Sequence, residues 1–247
     1  MYNYHVEGAW WTSPFNGKEE VTSVAVPKQK VEIHDATLRD GEQTPGVVFT
    51  PEDKLKIAEK LVAAGVTRIE AGMPAVSEAD AKAVYNIAHK FPEATVYSFA
   101  RAMRQDVDKA AECGAKGVVI EVPIGQPKLE RQFGWTWEKV FEKSADCINY
   151  AKQCGLKACY FPYDATRAKE EDIEALFGAL MRDAKPDSIG IVDTMGCALP
   201  DTIKYMVKWY KKLTNGLPIE VHCHNDFGMA VATELAGIAA GADVIPS

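Results

Sequence analysis

The chain has 247 residues, of which 47% are hydrophobic, and a net charge of -7 at pH 7, which fits one large domain and argues against nucleic acid or an anionic membrane as partner. No stretch approaches the roughly 18 apolar residues of a membrane helix, and the 6 cysteines form no C-x-x-C pair. We therefore expect a cytoplasmic protein with reduced thiols and small-molecule partners.

Short β-branched runs alternate with longer stretches of helical periodicity from residue 31 onward, a pattern typical of repeated βα units. Residues 1–30 are rich in aromatic residues and lack periodicity, so they are predicted to form an arm ahead of a barrel domain at 31–247. Eight strands are predicted, at Val31–Thr37, Thr67–Ala71, Thr95–Ala100, Gly117–Pro123, Lys157–Phe161, Ser188–Asp193, Ile219–His224 and Ala242–Ile245.

Seven helices are predicted between these strands. In the first, Thr50 can cap the helix, Pro51 suits its first turn, and an apolar stripe ends before Gly65. The helices lie at Pro51–Ala64, Ala79–His89, Val107–Cys113, Trp137–Cys154, Glu170–Arg182, Pro200–Leu213 and Ala230–Ala239. This order favours a TIM (β/α)8 barrel over an open doubly wound sheet, which counting alone leaves open; no G-x-G-x-x-G follows a strand.

Two histidines stand one residue apart in the seventh predicted strand, in the sequence "IEVHCHND". Residues two apart in a strand share a face, so His222 and His224 are predicted to point together into the barrel. A single buried histidine is more often a core residue with a hydrogen-bond partner. A pair at the C-terminal end of a barrel strand, where TIM active sites lie, instead indicates a metal site.

The first predicted strand runs into "TLRDGEQTPG", which brings Arg39 and Asp40 to the same end of the barrel. Alone, this run would be a charged turn. Beside two neutral histidines, its carboxylate completes a ligand set that suits Mn, Mg, Zn, Co or Fe, and the spacing leaves the choice among these divalent metals open.

Four motifs together resemble the DRE-TIM metallolyase (HMGL-like) superfamily: "TLRDGEQTPG" (Thr37–Gly46), "IEAGMP" (Ile69–Pro74), "DTMGCALP" (Asp193–Pro200) and "HCHNDFGMAVA" (His222–Ala232). Within it the chain is most similar to the 2-isopropylmalate, homocitrate and citramalate synthases, which perform Claisen condensations. The resemblance runs from about residue 31 to 247 and implies a TIM barrel with a divalent-metal site.

The resemblance also implies roles for individual residues. Asp40, His222 and His224 would bind the metal, and Arg39 would stabilise negative charge developing on oxygen. Arg101 and Thr194 would hold the carboxylate of a 2-oxo acid. Gln43, grouped with Arg39 as catalytic, and Asp226 would lie just outside the metal ligands. Without the motifs, Arg101 would be read as a helix-capping charge and Thr194 as a hydroxyl that satisfies a strand end.

The chain departs from the synthases at two strand ends. Where they carry Phe-Ser-Pro-Glu-Asp-Ala, it reads "YFPYDATR", so that Tyr163 occupies the glutamate position beside the substrate. The fourth strand, "IEVPIGQP" (Ile120–Pro127), also differs, which predicts a remodelled pocket for the substrate side chain.

The sequence ends on or just after the eighth predicted strand. We expect a barrel without its last helix or a C-terminal subdomain. Its uncovered flank would be buried by a partner chain in a homo-oligomer, by a shifted helix, or by the arm that carries Trp10 and Trp11.

Three functions are consistent with these features. The first is a metal-dependent condensation of acetyl-CoA or another acyl-CoA with a 2-oxo acid, giving a 2-hydroxy-dicarboxylate. The second is carbon–carbon cleavage of the 3-hydroxy-3-methylglutaryl-CoA lyase type. The motif "TLRDGEQTPG" argues against cleavage, but Tyr163 weakens that objection. The third is a truncated, non-catalytic barrel that binds metal and 2-oxo acid.

Overall fold

The barrel predicted from the sequence is confirmed in a computed structural model, which describes residues 3–25 and 30–246. The strands lie at His5–Val6 (β1), Trp10–Trp11 (β2), Glu32–Asp35 (β3), Arg68–Glu70 (β4), Thr95–Arg101 (β5), Gly117–Pro123 (β6), Lys157–Tyr163 (β7), Ser188–Asp193 (β8), Ile219–Cys223 (β9) and Val244–Pro246 (β10). β1 and β2 form an antiparallel hairpin, whereas β3 to β10 are parallel and close into a barrel in chain order, with β10 between β9 and β3.

A helix follows each barrel strand from β3 to β9, as predicted. The helices lie at Glu19–Ala25 (α1), Pro51–Ala63 (α2), Glu78–Lys90 (α3), Arg104–Glu112 (α4), Gln126–Lys128 (α5), Trp137–Gln153 (α6), Glu170–Asp183 (α7), Pro200–Leu213 (α8) and Ala230–Ala239 (α9). Short 3-10 turns occur at Pro14–Gly17, Gly41–Gln43 and Ala165–Arg167, and a π turn at Leu129–Phe133. The predicted cap at Thr50 is confirmed, because Thr50 and Asp53 form a reciprocal capping box at the start of α2.

Two element boundaries differ from the prediction in ways that affect the site. β3 ends at Asp35, not at residue 37, because the backbone N–H groups of Arg39 and Asp40 turn back to the carbonyl of Ala36. β7 continues to Tyr163, not to residue 161, and pairs there with Pro123 of β6. The α5 and π-turn segment between β6 and α6 was not predicted, because it is too short to show a periodicity.

Side chains pointing into the barrel lumen form three layers. At the N-terminal end lies the base cluster, defined as His34, Arg68, Ser188 and Glu220. Above it lies an apolar layer of Tyr97, Phe99, Val119, Cys159, Phe161 and Val192. Above that, at the C-terminal ends of the strands, lies the mouth site, defined as Arg39, Asp40, Glu70, Glu121, His222 and His224.

Two glycines make room for the apolar layer. A Cβ on Gly117 would lie 2.4 Å from the Tyr97 ring, and one on Gly190 would lie 2.5 Å from the Phe161 ring. Both distances are far inside van der Waals contact, so only glycine lets these rings fill the centre of the barrel. The layer separates the two polar clusters: Arg68 packs over Tyr97 from below and Arg39 over Phe99 from above.

The N-terminal arm does not bury its tryptophans. Trp10 and Trp11 are 42% and 74% exposed, and Ile33 on the outer face of β3 is 42% exposed. The last strand, β10, is itself buried along its length, so the exposed apolar surface on this side is that of β3, and its burial by a partner chain stays a prediction. None of the helices described here is long and apolar enough to cross a membrane.

Candidate active site

The predicted metal ligands converge at the C-terminal mouth of the barrel. His222 is the penultimate residue of β9, His224 directly follows that strand, and Asp40 comes from the turn after β3. The Nε2 atoms of His222 and His224 lie 3.3 and 3.7 Å from Oδ2 of Asp40. One ligand atom from each residue lies within 4.8 Å of the others. Because only β10 separates β9 from β3, the side chains can meet as the sequence predicted.

The electrostatics of this triad suit a cation. Burial alone would raise the pKa of Asp40, but the hydrogen bond from His222 and the charge of Arg39 outweigh it and lower the pKa well below its usual range. Burial and the neighbouring His222 lower the pKa of His224. One ionised carboxylate and two imidazoles are the donor set that divalent transition metals prefer, so these residues fit the ion that the sequence implied.

Arg39 is fixed beside the triad by two carboxylates. Its Nε and Nη2 donate to the two oxygens of Glu70 at 2.5 and 3.4 Å, and its Nη1 donates to Asp40 at 2.9 Å. Its guanidinium carbon lies 4.4 Å from the centre of the Phe99 ring. Burial would lower its pKa, but Glu70 and Asp40 raise it, so the guanidinium is a permanent positive charge in a fixed orientation.

The loop that carries Arg39 and Asp40 is anchored by a buried lysine. Glu42 accepts a hydrogen bond from the Phe49 N–H at 2.8 Å and pairs with Lys54 of α2, also at 2.8 Å. The same ammonium group contacts Asp80 of α3, which accepts the Met73 N–H. The 3-10 turn at Gly41–Gln43 is therefore held to two helices, and this fixes the position of Asp40.

The two residues expected to bind a 2-oxo acid carboxylate already have protein partners. Arg101, at the end of β5, donates to both carboxylate oxygens of Asp106 at 2.9 and 3.0 Å. The Thr194 hydroxyl accepts the backbone N–H of Asp164 at 2.8 Å, which leaves its own proton available. The strand-end contact considered for Thr194 is thus present, whereas Arg101 is ion-paired to the first turn of α4 and does not cap it. A role of either residue in substrate binding stays a prediction.

Gln43 and Asp226 both line a cleft of about 920 Å³ that opens above the triad. The backbone N–H of Gln43 donates to the Asp40 carbonyl at 2.9 Å, but among the described contacts neither side chain hydrogen-bonds to Asp40, His222 or His224. Gly196 packs closely against the loop after β9, since a Cβ on Gly196 would lie 2.6 Å from the His224 carbonyl oxygen. The loop after β8 therefore supports the second histidine from behind.

Three carboxyl groups of this region were not singled out from the sequence. Glu70 holds Arg39, and it is part of the quoted "IEAGMP" motif. Burial raises the pKa of Glu121 on β6 to about 7, and the same cause raises the pKa of Glu234 on α9 to about 7. A charged residue in the otherwise apolar strand "GVVIEVP" was the available signal for Glu121.

Comparisons with known proteins agree with this geometry. The HMGL-like family model matches residues 30–247. The chain is 40% identical over 228 residues to a homocitrate synthase of Methanopyrus kandleri, covering 92% of this chain and 57% of that protein. It is 36% identical over 228 residues to a 2-isopropylmalate synthase of Methanocaldococcus jannaschii, covering 92% and 43%. The chain thus spans about half the length of these curated relatives.

Solved structures show the same fold. A hydroxymethylglutaryl-CoA lyase from Pseudomonas aeruginosa superposes with a TM-score of 0.76 at 18% identity, covering 90% of this chain and 77% of that chain. The carboxyl transferase domain of Rhizobium etli pyruvate carboxylase superposes with a TM-score of 0.70 at 19% identity, covering 89% and 40%. With the family model matched along nearly its whole length, the chain belongs to the HMGL-like family.

Proposed function

We propose that this chain forms the barrel of a divalent-metal-dependent enzyme that condenses acetyl-CoA, or another acyl-CoA, with a 2-oxo acid. The observation that carries the proposal is the convergence of Asp40, His222 and His224 beside the fixed guanidinium of Arg39. The identity to homocitrate and 2-isopropylmalate synthases supports condensation as the direction of the reaction.

In this reaction a bond forms between the acyl methyl carbon and the keto carbon, after the methyl group has lost a proton. Water then cleaves the thioester, which releases the CoA thiol and leaves a 2-hydroxy-dicarboxylate. A divalent ion supplies Lewis acidity and orients the 2-oxo acid. Arg39 places a permanent positive charge where a reacting oxygen gains negative charge, and Glu70 holds that charge still.

The test is CoA-thiol release from acetyl-CoA with a panel of 2-oxo acids, in Mn²⁺ or Mg²⁺ buffer. The variant is His222→Ala, and the matched control is His89→Ala, which removes an exposed histidine on the outer helix α3. Release that requires a 2-oxo acid, is lost in His222→Ala and is kept in His89→Ala supports the proposal. Release that is unchanged in His222→Ala contradicts it.

Carbon–carbon cleavage is the second candidate, and Tyr163 is the feature that favours it. This residue stands where the resemblance places a glutamate, and β7 carries its ring to the mouth of the barrel. Metal-dependent cleavage of 3-hydroxy-3-methylglutaryl-CoA, in the absence of any 2-oxo-acid-dependent thiol release, would favour a lyase. Thermal stabilisation by metal and 2-oxo acid without turnover of either kind would favour a non-catalytic barrel.

A further inference from the structure

Glu121 is a lumen-facing carboxyl group to which neither the proposed reaction nor the family motifs give a role. It lies near the C-terminal end of β6, two residues after Val119 of the apolar layer, so its side chain points inward above that layer. In the closed barrel, β6 is four strands from β10 in either direction. The metal ligands come from the two strands that flank β10, so Glu121 faces the triad across the lumen.

This carboxyl group has no hydrogen-bond or ion-pair partner among the described residues. The groups that face it are Arg39 and Asp40 after β3, Glu70 on β4, Tyr163 on β7 and His222 on β9. Glu70 and Asp40 already share the charge of Arg39. The next cation along the mouth, Arg101, is taken up by Asp106.

The charges of the mouth site decide what else can enter it. Within the described chain, three carboxyl groups (Asp40, Glu70 and Glu121) face one guanidinium, that of Arg39. Asp226 and Glu234 add further carboxyl groups to the cleft beside the triad. The oxo group of a 2-oxo acid would be held on the side of the triad and Arg39. In that orientation a long side chain would extend across the lumen, where Glu121 and Tyr163 lie.

We propose that Glu121 selects 2-oxo acids with a single carboxylate and rejects those with a second carboxylate on the side chain. This inference rests on the proposed function. A second carboxylate would meet Glu121 in a half-buried space that offers it no free cation, and like charges so placed repel strongly. The Tyr163 hydroxyl and the apolar layer remain compatible with an uncharged side chain.

The experiment compares two probes of equal carbon number, 2-oxovalerate and 2-oxoglutarate, which differ by a terminal methyl against a terminal carboxylate. Affinities are measured by calorimetry on the full chain with saturating Mn²⁺ at pH 8.5. Glu121→Gln removes the charge and keeps the shape, and Glu121→Thr is a second neutral variant in case the first folds poorly. Glu142→Gln, an exposed carboxylate on the outer helix α6, is the matched control.

We expect wild type and Glu142→Gln to bind 2-oxovalerate at least about tenfold more tightly than 2-oxoglutarate, since one close like-charge contact corresponds to a factor of this size. Both neutral variants should narrow the gap by about tenfold, mainly by binding 2-oxoglutarate more tightly. Equal affinities in wild type, or a gap that persists in both neutral variants, overturn the inference alone. If pyruvate, the smallest probe, shows no Mn²⁺-dependent binding to wild type either, the proposed function fails and the inference with it.

Discussion

The two polar clusters of the lumen differ in how completely a buried glutamate in each is paired. At the base, the fully buried carboxylate of Glu220 contacts His34 at 3.1 Å, Arg68 at 2.7 Å, Cys159 at 3.0 Å and Ser188 at 2.6 Å. At the mouth, Glu121 has no hydrogen-bond or ion-pair partner among the described residues, and the ligand atoms of the triad lie within 4.8 Å of one another. Although His34 Nε2 and Arg68 Nε have no hydrogen-bond partner, the four contacts of Glu220 mark the base as structural, and the unpaired Glu121 beside the triad marks the mouth as a place for ligands.

The pKa values of the two glutamates show the same contrast. Burial would raise the pKa of Glu220, but the hydrogen bond to His34 and the charge of Arg68 outweigh it and lower the pKa far below normal. Burial raises the pKa of Glu121 to about 7, because the charges of Arg39 and His222 offset it only in part. Glu220 therefore stabilises the folded protein when it is ionised, whereas ionisation of Glu121 lowers the free energy of unfolding.

The largest expected effect is the loss of Glu220. Glu220→Ala leaves Arg68 with only the longer pair to Glu32 at 3.5 Å and removes the hydrogen-bond partner of His34. Removing one partner of a buried ion pair costs about 3–5 kcal/mol. The free energy of unfolding, measured by urea titration, should fall by that amount. Asp201→Asn, which breaks an exposed pair with Lys204, is the control and should change it by less than about 0.5 kcal/mol. A small decrease in the free energy of unfolding of Glu220→Ala would mean that the base cluster contributes little to the stability of the fold.

A second variant tests whether the mouth site binds a metal ion. Asp40→Asn removes the ionised ligand of the triad and its pairs with Arg39 and His222, so we expect a loss of stability even in the presence of a chelator, smaller than that of Glu220→Ala because Arg39 keeps its pair with Glu70. What should disappear is the added stability given by Mn²⁺, which for wild type is about 2.7 kcal/mol at a concentration 100 times the dissociation constant. Thermal unfolding with and without Mn²⁺ measures both quantities. Undiminished Mn²⁺ stabilisation would place the ion elsewhere.

The sequence predicted the mouth site better than the base cluster, because the mouth residues lie in short local motifs. The H-x-H spacing and the "RDGEQ" loop predicted the triad, because strand alternation and strand order decide which side chains meet. The base cluster was not predicted, since His34, Arg68 and Glu220 come from three strands far apart in the chain and form no local pattern. The Arg101–Asp106 pair was missed as well, because rotamers of exposed arginines are set by neighbours that the motif does not contain.

The pH dependence of stability separates the two clusters further. Unfolded Glu121 loses its proton near its ordinary pKa, whereas the folded protein keeps that proton up to about pH 7. Its contribution to stability is therefore complete at low pH and is lost as the pH rises from about 4.5 to 7, by about 1–2 kcal/mol after allowance for its partial exposure. With a chelator present, Glu121→Gln should lack this loss. Parallel curves for wild type and variant, from urea titrations at pH 5 to 8, would contradict the assignment.

The smallest expected effect is that of Tyr163→Phe. The Tyr163 hydroxyl has no hydrogen-bond partner among the described residues, and its pKa is raised to about 12, first by burial and then by Glu121. Deleting it should change the free energy of unfolding by less than about 0.5 kcal/mol, because no contact is lost. Tyr160→Phe is the matched control, since the Tyr160 hydroxyl is hydrogen-bonded to Ser144 at 2.9 Å in the core, and its loss should cost about 1 kcal/mol. A larger loss of stability in Tyr163→Phe than in Tyr160→Phe would mean that the Tyr163 hydroxyl makes a structural contact. The mouth would then hold fewer groups that are available to a ligand.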